Sequence, residues 1–273
     1  MVTARRVQLA AYASPTLGGE MTMDPSRCVV LVPVHDYIEP GCAEGLAELE
    51  RRGYPVWRTY GCSAIDQARS QIATDALAQG FEELMWIDAD IRFHPDAVDM
   101  LRSHNLPVVC GIYPKKRSRE LVCSLLPDTQ GVIFGQAGGM VEIRYAAGGF
   151  LLTKRHVYEE IAKHEQLPVC NEQFGRALVP YFLPMIVPDG DHQWYLGEDF
   201  AFSERARRSG FAIHADTRFR LEHIGKYGYT WEDAGSERKR FGTYAFKFRQ
   251  RSESADATGN RQVDSEESVP QTT

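Results

Sequence analysis

Residues 83–90 read ELMWIDAD, a short apolar run closed by two aspartates. An uninterrupted apolar run of this length predicts a buried strand of a parallel sheet, with the aspartates at its carboxyl end. Ligands of open α/β sheets gather at that edge. Asp88 and Asp90 alternate along an extended backbone, so we expect both side chains to project to the same side. The alternative is an acidic turn whose aspartates accept hydrogen bonds from backbone amides.

The two aspartates suit a hard divalent cation. Magnesium-like ions bind through one or two protein carboxylates and complete their coordination with oxygen atoms of substrate phosphates. Asp-x-Asp alone is a weak motif, so its meaning depends on the rest of the chain.

The first part of the chain predicts a parallel α/β sheet. Apolar strands are predicted at residues 28–34, 55–60, 81–87 and 107–113, with helices between them. Strands that alternate with helices are typical of a parallel sheet with right-handed crossovers. The first and third strands should therefore deliver their carboxyl ends to one edge.

Polar and aromatic residues follow the first strand. Val34, His35, Asp36 and Tyr37 are candidates for holding a nucleobase, with Tyr37 stacking on the base and Asp36 accepting a hydrogen bond from it. The alternative is the start of a helix capped by Asp36.

Arg69 lies at the border of the apolar stripe of a helix predicted from Ser63 to Gly80. An arginine there can reach a phosphate or a base over the sheet edge. It can equally pair with a neighbour such as Asp66 and cover apolar surface.

The pattern changes after residue 119. Short strands are predicted at 121–125, 132–134 and 140–145, a helix from 153 to 164, and an irregular stretch from 167 to 193. Lys115 belongs to a basic cluster that suits a diphosphate or an anionic acceptor, or else forms a solvated loop. Gly148 and Gly149 allow a substrate, or a second packed segment, to approach the backbone closely.

Two acidic residues begin a further predicted helix. Asp199 is our first choice for a carboxylate base and Glu198 the second, although acidic residues also complement the dipole of a helix N-terminus. Trp194 and Tyr195, just before them, form either an apolar wall beside a ligand or part of the core. His223 follows a late strand, and a lone histidine is often structural.

Composition narrows the class of protein. The 273 residues carry a net charge of −6, which argues against a general nucleic-acid-binding surface. The six cysteines are scattered and several lie in apolar runs, so we expect reduced thiols in a cytoplasmic protein, although disulfides stay open. No apolar run is long enough to span a membrane.

The ends of the chain have their own patterns. Residues 1–26 predict a flexible extension, and residues 251–273 predict a disordered polar tail. Residues 236–250 predict a basic amphipathic helix, which docks on the core or, as a minority interpretation, makes a peripheral membrane contact.

In this order, Asp88/Asp90, the Gly148-Gly149 loop, Glu198-Asp199 and His223 give the chain a family likeness. It resembles the nucleotide-diphospho-sugar glycosyltransferases of the GT-A fold, in the style of the non-processive, family 2-like members. The resemblance covers roughly residues 28–224. It implies an α/β, Rossmann-like GT-A fold, with a central mostly parallel sheet flanked by helices and a smaller mixed or antiparallel sheet on the acceptor side. Residues 27–250 would form one domain, with a nucleotide-binding half at 27–118 and an acceptor-binding half at 119–250.

The resemblance also assigns roles. Asp90 would coordinate Mn²⁺ or Mg²⁺, Asp88 would contact the ribose or sugar or the metal, and His223 would be a metal ligand. The residues expected to contact the sugar nucleotide are Val34, His35, Asp36, Tyr37, Arg69, Asp88, Ala89 and Asp90. Those expected to bind the substrate are Lys115, Gly148, Gly149 and Trp194, with Trp194 and Tyr195 against a sugar ring.

The implied reaction moves a sugar from a UDP- or GDP-sugar to an acceptor hydroxyl, on a glycan or small glycoconjugate, in a single transfer. A bound divalent cation would neutralise the charge left on the nucleoside diphosphate. Residues 34–36 depart from the commoner Val-Tyr-Asn pattern of the family, so the base is not assigned. No Gln-x-x-Arg-Trp signature of the polymerising members occurs.

Two other functions remain open. A phosphohydrolase of the haloacid-dehalogenase type also begins with a strand and Asp-x-Asp, but Ile91-Arg92 replaces the usual residues after the pair. The non-enzyme alternative is a module that binds a carbohydrate or a sugar nucleotide, in which the acidic pair is structural.

Overall fold

The computed structural model describes residues 23–116, 120–225, 227–234 and 243–247. The predictions for residues 1–22 of the N-terminal extension and for the tail at 251–273 therefore lie outside the described residues. Residues 25–27 form a single 3₁₀ turn, in which the Asp24 side chain accepts a hydrogen bond from the Ser26 amide at 2.9 Å.

Five α-helices occur in the described part of the chain. They are α1 (Pro40–Arg51), α2 (Ile65–Ala78), α3 (Asp96–Ser103), α4 (Arg155–His164) and α5 (Glu198–Arg208). None of these helices has the length and hydrophobicity of a membrane-spanning segment.

The strands are short. They are β1 (Cys28–Val34), β2 (Val56–Tyr60), β3 (Glu83–Ile87), β4 (Ile91–Arg92), β5 (Val108–Gly111), β6 (Cys123–Leu125), β7 (Gly131–Gly135), β8 (Met140–Ala146), β9 (Phe150–Lys154), β10 (Met185–Asp189), β11 (His192–Leu196), β12 (Ile213–Asp216), β13 (Glu222–Ile224), β14 (Gly228–Tyr229) and β15 (Thr243–Lys247).

The central sheet has eight strands in the order β2-β1-β3-β9-β5-β12-β8-β6. The pairs β1–β2, β1–β3 and β5–β12 are parallel. The other four neighbouring pairs, which involve β9 and β8, are antiparallel. The molecule is thus a mixed α/β protein. A mostly parallel sheet was expected, and six of the eight strands do run in the same direction. However, four of the seven neighbouring pairs are antiparallel, because β9 and β8 run in the opposite direction.

Strand β9 is the main departure from the sequence-based prediction. A helix was expected from residue 153, but Phe150–Lys154 forms a strand between β3 and β5, and α4 begins only at Arg155. Leu151, Leu152 and Thr153 are buried there. The cause is tertiary: the residues complete a gap between two buried strands, and local periodicity does not reveal that gap.

Helices cover both faces of the sheet. One buried cluster joins Leu31 and Trp86 of the sheet to Ile72 of α2 and Phe202 of α5. The other joins Val30 to Leu46 of α1 and Leu101 of α3. Successive residues of β1 therefore feed opposite cores, as expected for a strand buried on both faces.

Small antiparallel sheets lie outside the central one. β10 and β11 form a hairpin that begins in the stretch predicted to be irregular and ends just beyond it. β14, β13 and β4 form a three-stranded sheet. β15 pairs with β7, so the predicted helix at 236–250 is wrong over Thr243–Lys247, and its remaining residues lie outside the described part. Pairing with an available strand edge overrides a helical apolar stripe.

Candidate functional site

A cavity of about 340 Å³ opens at the carboxyl ends of β1 and β3. Nine residues singled out from the sequence line it: His35, Asp36, Tyr37, Arg69, Asp88, Ala89, Asp90, Glu198 and His223. The parallel pairing of β1 with β3 brings residues 35–37, which follow β1, and residues 88–90, which follow β3, to one edge of the sheet. Residues more than a hundred positions apart in the chain thus share one wall.

The acidic pair lies in a turn. β3 ends at Ile87, and the amide of Ile91 donates a hydrogen bond to the Asp88 carbonyl at 3.0 Å. The extended backbone expected for Asp88-Ala89-Asp90 is therefore wrong, although both aspartates line the cavity. Their carboxylates bind basic side chains, Arg69 and Lys116, rather than backbone amides of the turn.

Strand pairing brings His223 to Asp90. β13 pairs with β4, the two residues that directly follow Asp90, with His223 opposite Ile91. The amide of Ile224 donates a hydrogen bond to the Asp90 carbonyl at 2.7 Å. As a result His223 Nε2 lies 3.6 Å from Asp90 Oδ1.

The surroundings of His223 favour the neutral imidazole ring with its proton on Nδ1. Its Nδ1 lies 2.9 Å from the carbonyl oxygen of Pro114, which accepts a hydrogen bond and so places the proton on Nδ1. Burial lowers the pKa of His223, favouring the neutral ring. The lone pair of Nε2 is then available on the side of Asp90, as in a metal-ligating histidine oriented by a backbone carbonyl.

Asp90 also contacts Lys116, whose ammonium binds its Oδ2. The residue chosen from the basic cluster was Lys115, but Lys115 pairs with Glu120 at 3.0 Å on the surface and does not line the cavity. Consecutive residues of an extended segment point to opposite sides, so only one of the two lysines can face the cavity. The sequence shows the basic cluster, but nothing in the local sequence indicates which of its lysines faces the cavity.

Arg69 is buried beneath the cavity, with only 2% of its surface exposed. Its guanidinium donates hydrogen bonds to Asp88 Oδ1 at 2.6 Å and to the Gly148 carbonyl at 3.3 Å. It lies 5.3 Å from the centre of the Trp86 ring. The arginine therefore pairs with Asp88 and not with Asp66, the partner considered from the sequence.

The Nε atom of Arg69 is buried and has no hydrogen-bond partner among the described residues. It lies 3.6 Å from Glu198 Oε1. The arginine thus stands between the carboxylate that follows β3 and the one that begins α5. A small movement of Glu198 would complete a hydrogen bond to it.

Gly148 and Gly149 give room to protein groups. A Cβ atom on Gly148 would lie 2.9 Å from the Arg69 guanidinium, and one on Gly149 would lie 2.7 Å from Asp88 Oδ2. The amide of Gly149 donates a hydrogen bond to the Tyr113 hydroxyl at 3.0 Å. Neither glycine lines the cavity. Their proposed contact with a substrate stays a prediction.

Glu198 and Asp199 begin α5 but have different surroundings. Glu198 lines the cavity, whereas both carboxylate oxygens of Asp199 accept backbone hydrogen bonds, from Gly148 at 3.3 Å and from Phe200 at 2.7 Å. Burial raises the pKa of Glu198, and the adjacent Asp199 charge adds to the increase. Burial also raises the pKa of Asp199. The geometry favours Glu198 over Asp199 as the group that meets a substrate.

The residues after β1 are open to solvent. Val34 is fully buried, but His35, Asp36 and Tyr37 are exposed, and the Tyr37 hydroxyl donates a hydrogen bond to Glu39 at 3.1 Å. With 66% of its surface exposed, Tyr37 is available for stacking at the mouth of the cavity. Val34 can contribute only its backbone.

Trp194 and Tyr195 face opposite sides of the β10–β11 hairpin. The Trp194 ring is half-buried, 5.5 Å from the ring of Tyr145 and 6.1 Å from that of Phe200. Tyr195 pairs across the hairpin with Ile186, and both are about two-thirds exposed. Of the two residues considered from the sequence, Trp194 packs against Tyr145 and Phe200, and Tyr195 forms the exposed aromatic surface of the hairpin.

Asp88, Asp90 and His223 are the side chains of the cavity that could hold a divalent cation. Within the described part of the chain, three or more His, Cys, Asp or Glu side chains nowhere form a preassembled metal site. The carboxylate of Asp90 and the Nε2 lone pair of His223 nonetheless face each other, and Asp88 lies two residues from Asp90. These oxygen and imidazole ligands suit Mn²⁺ or Mg²⁺. The residues fit the ion on condition that Lys116 moves off Asp90.

Comparison with known proteins adds little to this geometry. No protein-family model and no curated protein matches the chain. A solved structure of A197 from STIV is similar, with 13% identity and a TM-score of 0.48 over 85% of this chain and 100% of that one. A glycosyltransferase involved in the glycosylation of the major capsid of PBCV-1 has 13% identity and a TM-score of 0.25, over 48% and 62% of the two chains. These TM-scores are too low to establish the fold or the activity of this chain.

Proposed function

We propose that this chain is a glycosyltransferase of the GT-A type, which moves a sugar from a nucleotide-diphosphate sugar to an acceptor hydroxyl with the help of Mn²⁺ or Mg²⁺. The observation that carries the proposal is that Asp88, Asp90, Glu198 and His223 line one cavity at the carboxyl ends of parallel strands. The order of these residues along the chain is that of the family which the sequence resembles.

The donor half of the proposal uses the first strands, within residues 27–118. Tyr37 stacks on the base and Asp36 accepts a hydrogen bond from it; Asp88, held by Arg69, accepts hydrogen bonds from the ribose or sugar. Asp90 and His223 would hold the divalent cation, with Asp88 close enough to share it. When bound, the ion supplies positive charge that stabilises the departing nucleoside diphosphate.

The acceptor half belongs to residues 119–250. Glu198 takes the proton of the acceptor hydroxyl as the acceptor oxygen bonds to the anomeric carbon. The sugar–phosphate bond breaks, and its electron pair leaves on the nucleoside diphosphate. The raised pKa of Glu198 suits this role, because a stronger base takes a proton more readily from a hydroxyl. The exposed Tyr195 offers an apolar surface for a sugar ring of a glycan or glycoconjugate.

The test measures the melting temperature of the protein with each UDP- or GDP-sugar, in the presence and in the absence of Mn²⁺. A ligand at one hundred times its dissociation constant stabilises the folded state by about 2.7 kcal/mol, which is on the order of 5 °C for a chain of this size. We expect such a shift only with Mn²⁺ present, and loss of the shift in Asp90→Asn. Asp128→Asn, at an exposed turn, is the matched control.

Other outcomes would favour other functions. Binding that needs no metal and survives Asp90→Asn would favour a sugar-nucleotide-binding module. Release of phosphate from a phosphate ester without any transfer would favour the phosphohydrolase. Absence of a shift with every nucleotide sugar would exclude the transferase.

A further inference from the structure

Lys116 binds Asp90, one of the two residues that the proposed function assigns to the metal ion. Its ammonium binds Asp90 Oδ2, while Asp90 Oδ1 lies 3.6 Å from His223 Nε2. The side chains of Lys116 and Asp90 are each about one-third exposed, at 34% and 33%. The contact is therefore inside the cavity but open to exchange with ions from solution.

The backbone just before Lys116 is held in place. Pro114 forms an isolated β-bridge with Leu121, and the Lys115 amide donates a hydrogen bond to the Glu120 carbonyl at 2.9 Å. The aliphatic stem of Lys116 runs past Gly225, where a Cβ atom would lie 3.3 Å from its Cδ. The lysine thus reaches Asp90 along a path with little room to spare.

Each aspartate of the cavity has its own cationic partner. Arg69 compensates Asp88 and stands 3.6 Å from Glu198, whereas Lys116 compensates Asp90. Arg69 is enclosed by the core and cannot leave, because only 2% of it is exposed. A lysine is a compact charge on a flexible stem and can move. Like charges at close distance repel, so an ammonium on Oδ2 of Asp90 opposes the binding of a divalent ion to the same carboxylate.

We propose that Lys116 is an exchangeable counter-ion of the cavity, an inference that rests on the proposed function. It neutralises Asp90 while no metal is bound, and it leaves when a divalent ion binds to Asp90 and His223. The freed ammonium then binds the diphosphate of the nucleotide. Nucleotide and metal consequently bind cooperatively, because the nucleotide provides the displaced lysine with a new anionic partner.

The experiment measures Mn²⁺ binding by electron paramagnetic resonance, first with Mn²⁺ alone. Lys116→Met keeps the length of the stem but removes the competing charge, so we expect its Mn²⁺ affinity to rise by about tenfold or more over the wild type. Lys115→Met is the matched control, since Lys115 pairs with Glu120 outside the cavity, and its affinity should not change. An unchanged or weaker affinity in Lys116→Met would overturn the proposal.

The second measurement adds UDP or GDP. In the wild type, the nucleotide should tighten Mn²⁺ binding, and in Lys116→Met most of this tightening should disappear. Equal tightening in both proteins would contradict the transfer of the lysine to the diphosphate. If Lys116→Met fails to fold, Lys116→Gln, which has a polar but uncharged side chain, is used in its place. The same rise in Mn²⁺ affinity and the same loss of tightening by the nucleotide are expected.

The two proposals fail in different ways. If no nucleotide sugar binds or is turned over, the proposed function is wrong, whatever the affinity for Mn²⁺. If transfer is intact but Lys116→Met binds Mn²⁺ no more tightly than the wild type, only the role of Lys116 is wrong.

Discussion

Arg69 donates a 2.6 Å hydrogen bond to Asp88 from a position that is 98% buried. The same guanidinium reaches the Gly148 carbonyl and stands 3.6 Å from Glu198. One side chain thus connects the end of β3, the loop before β9 and the start of α5. These are the elements from which the candidate site is built.

Removing Arg69 should loosen the site and the fold together. Arg69→Met leaves Asp88 without its cation, and we expect a loss of about 2–3 kcal/mol in the free energy of unfolding, somewhat below the value for a fully buried pair because Asp88 is partly exposed. Urea denaturation measures the loss. Arg58→Met, which breaks a pair with Glu50 away from the cavity, should cost less than about 1 kcal/mol. Equal losses in the two variants would show that the buried pair of Arg69 and Asp88 stabilises the fold no more than the partly exposed pair of Arg58 and Glu50.

Glu198 and Asp199 should separate into a chemical and a structural role. Glu198→Gln should lower kcat by about 10²–10⁴ while the donor still binds, as expected for the loss of a general base. Asp199→Asn should mainly lower stability, because its carboxylate accepts two backbone hydrogen bonds. A fully folded Asp199→Asn variant without activity, beside an active Glu198→Gln, would restore Asp199 as the base.

The activity should also depend on pH through Glu198. A base works only when deprotonated, and burial raises the pKa of this carboxyl. The rate should therefore fall as pH decreases, beginning at a higher pH than an exposed glutamate would allow. A profile of kcat against pH measures this acidic limb. In the residual activity of Glu198→Gln the limb should vanish; a limb that persists would belong to another group.

Gly149 should not tolerate a side chain. In Gly149→Ala the new methyl group would lie 2.7 Å from Asp88 Oδ2 and would also meet the Tyr113 hydroxyl. We expect a loss of about 1–3 kcal/mol, the range for overpacked sites, and weaker donor binding. Gly139→Ala, whose methyl group meets no atom within 4 Å, is the control. Adding Tyr113→Phe to Gly149→Ala should recover part of the loss, and absence of recovery would place the strain elsewhere.

The two aromatic residues of β11 should respond differently to truncation. Trp194→Ala removes ring contacts with Tyr145 and Phe200, so it should cost about 2–3 kcal/mol, less than a fully buried tryptophan. Tyr195→Ala should leave stability within about 0.5 kcal/mol and raise the KM for a glycan acceptor. Thermal melts and acceptor kinetics measure the two effects. A raised acceptor KM in Trp194→Ala alone would favour the choice made from the sequence.

Local pattern was sufficient for much of residues 27–118. The strands β1 and β3, the helix α2 and the acidic pair after β3 were predicted because each is marked by a continuous apolar run or a helical stripe with polar ends. For Asp88-Ala89-Asp90 the sequence left an extended backbone and a turn open, since three residues carry no periodicity. Beyond residue 119, β6, β7 and β8 lie close to their predicted positions, whereas β9, the β10–β11 hairpin and β15 were not predicted, because their formation depends on strand partners elsewhere in the chain.

By itself the sequence determined which residue types are present, their order, and that a strand ends in two aspartates. Tertiary structure alone decided that β9 lies between β3 and β5, and that pairing of β13 with β4 places His223 beside Asp90. It also decided that Lys116 rather than Lys115 faces the cavity, and Glu198 rather than Asp199. The physical reason is that adjacent residues have the same local sequence context, whereas burial and partners depend on segments far away in the chain.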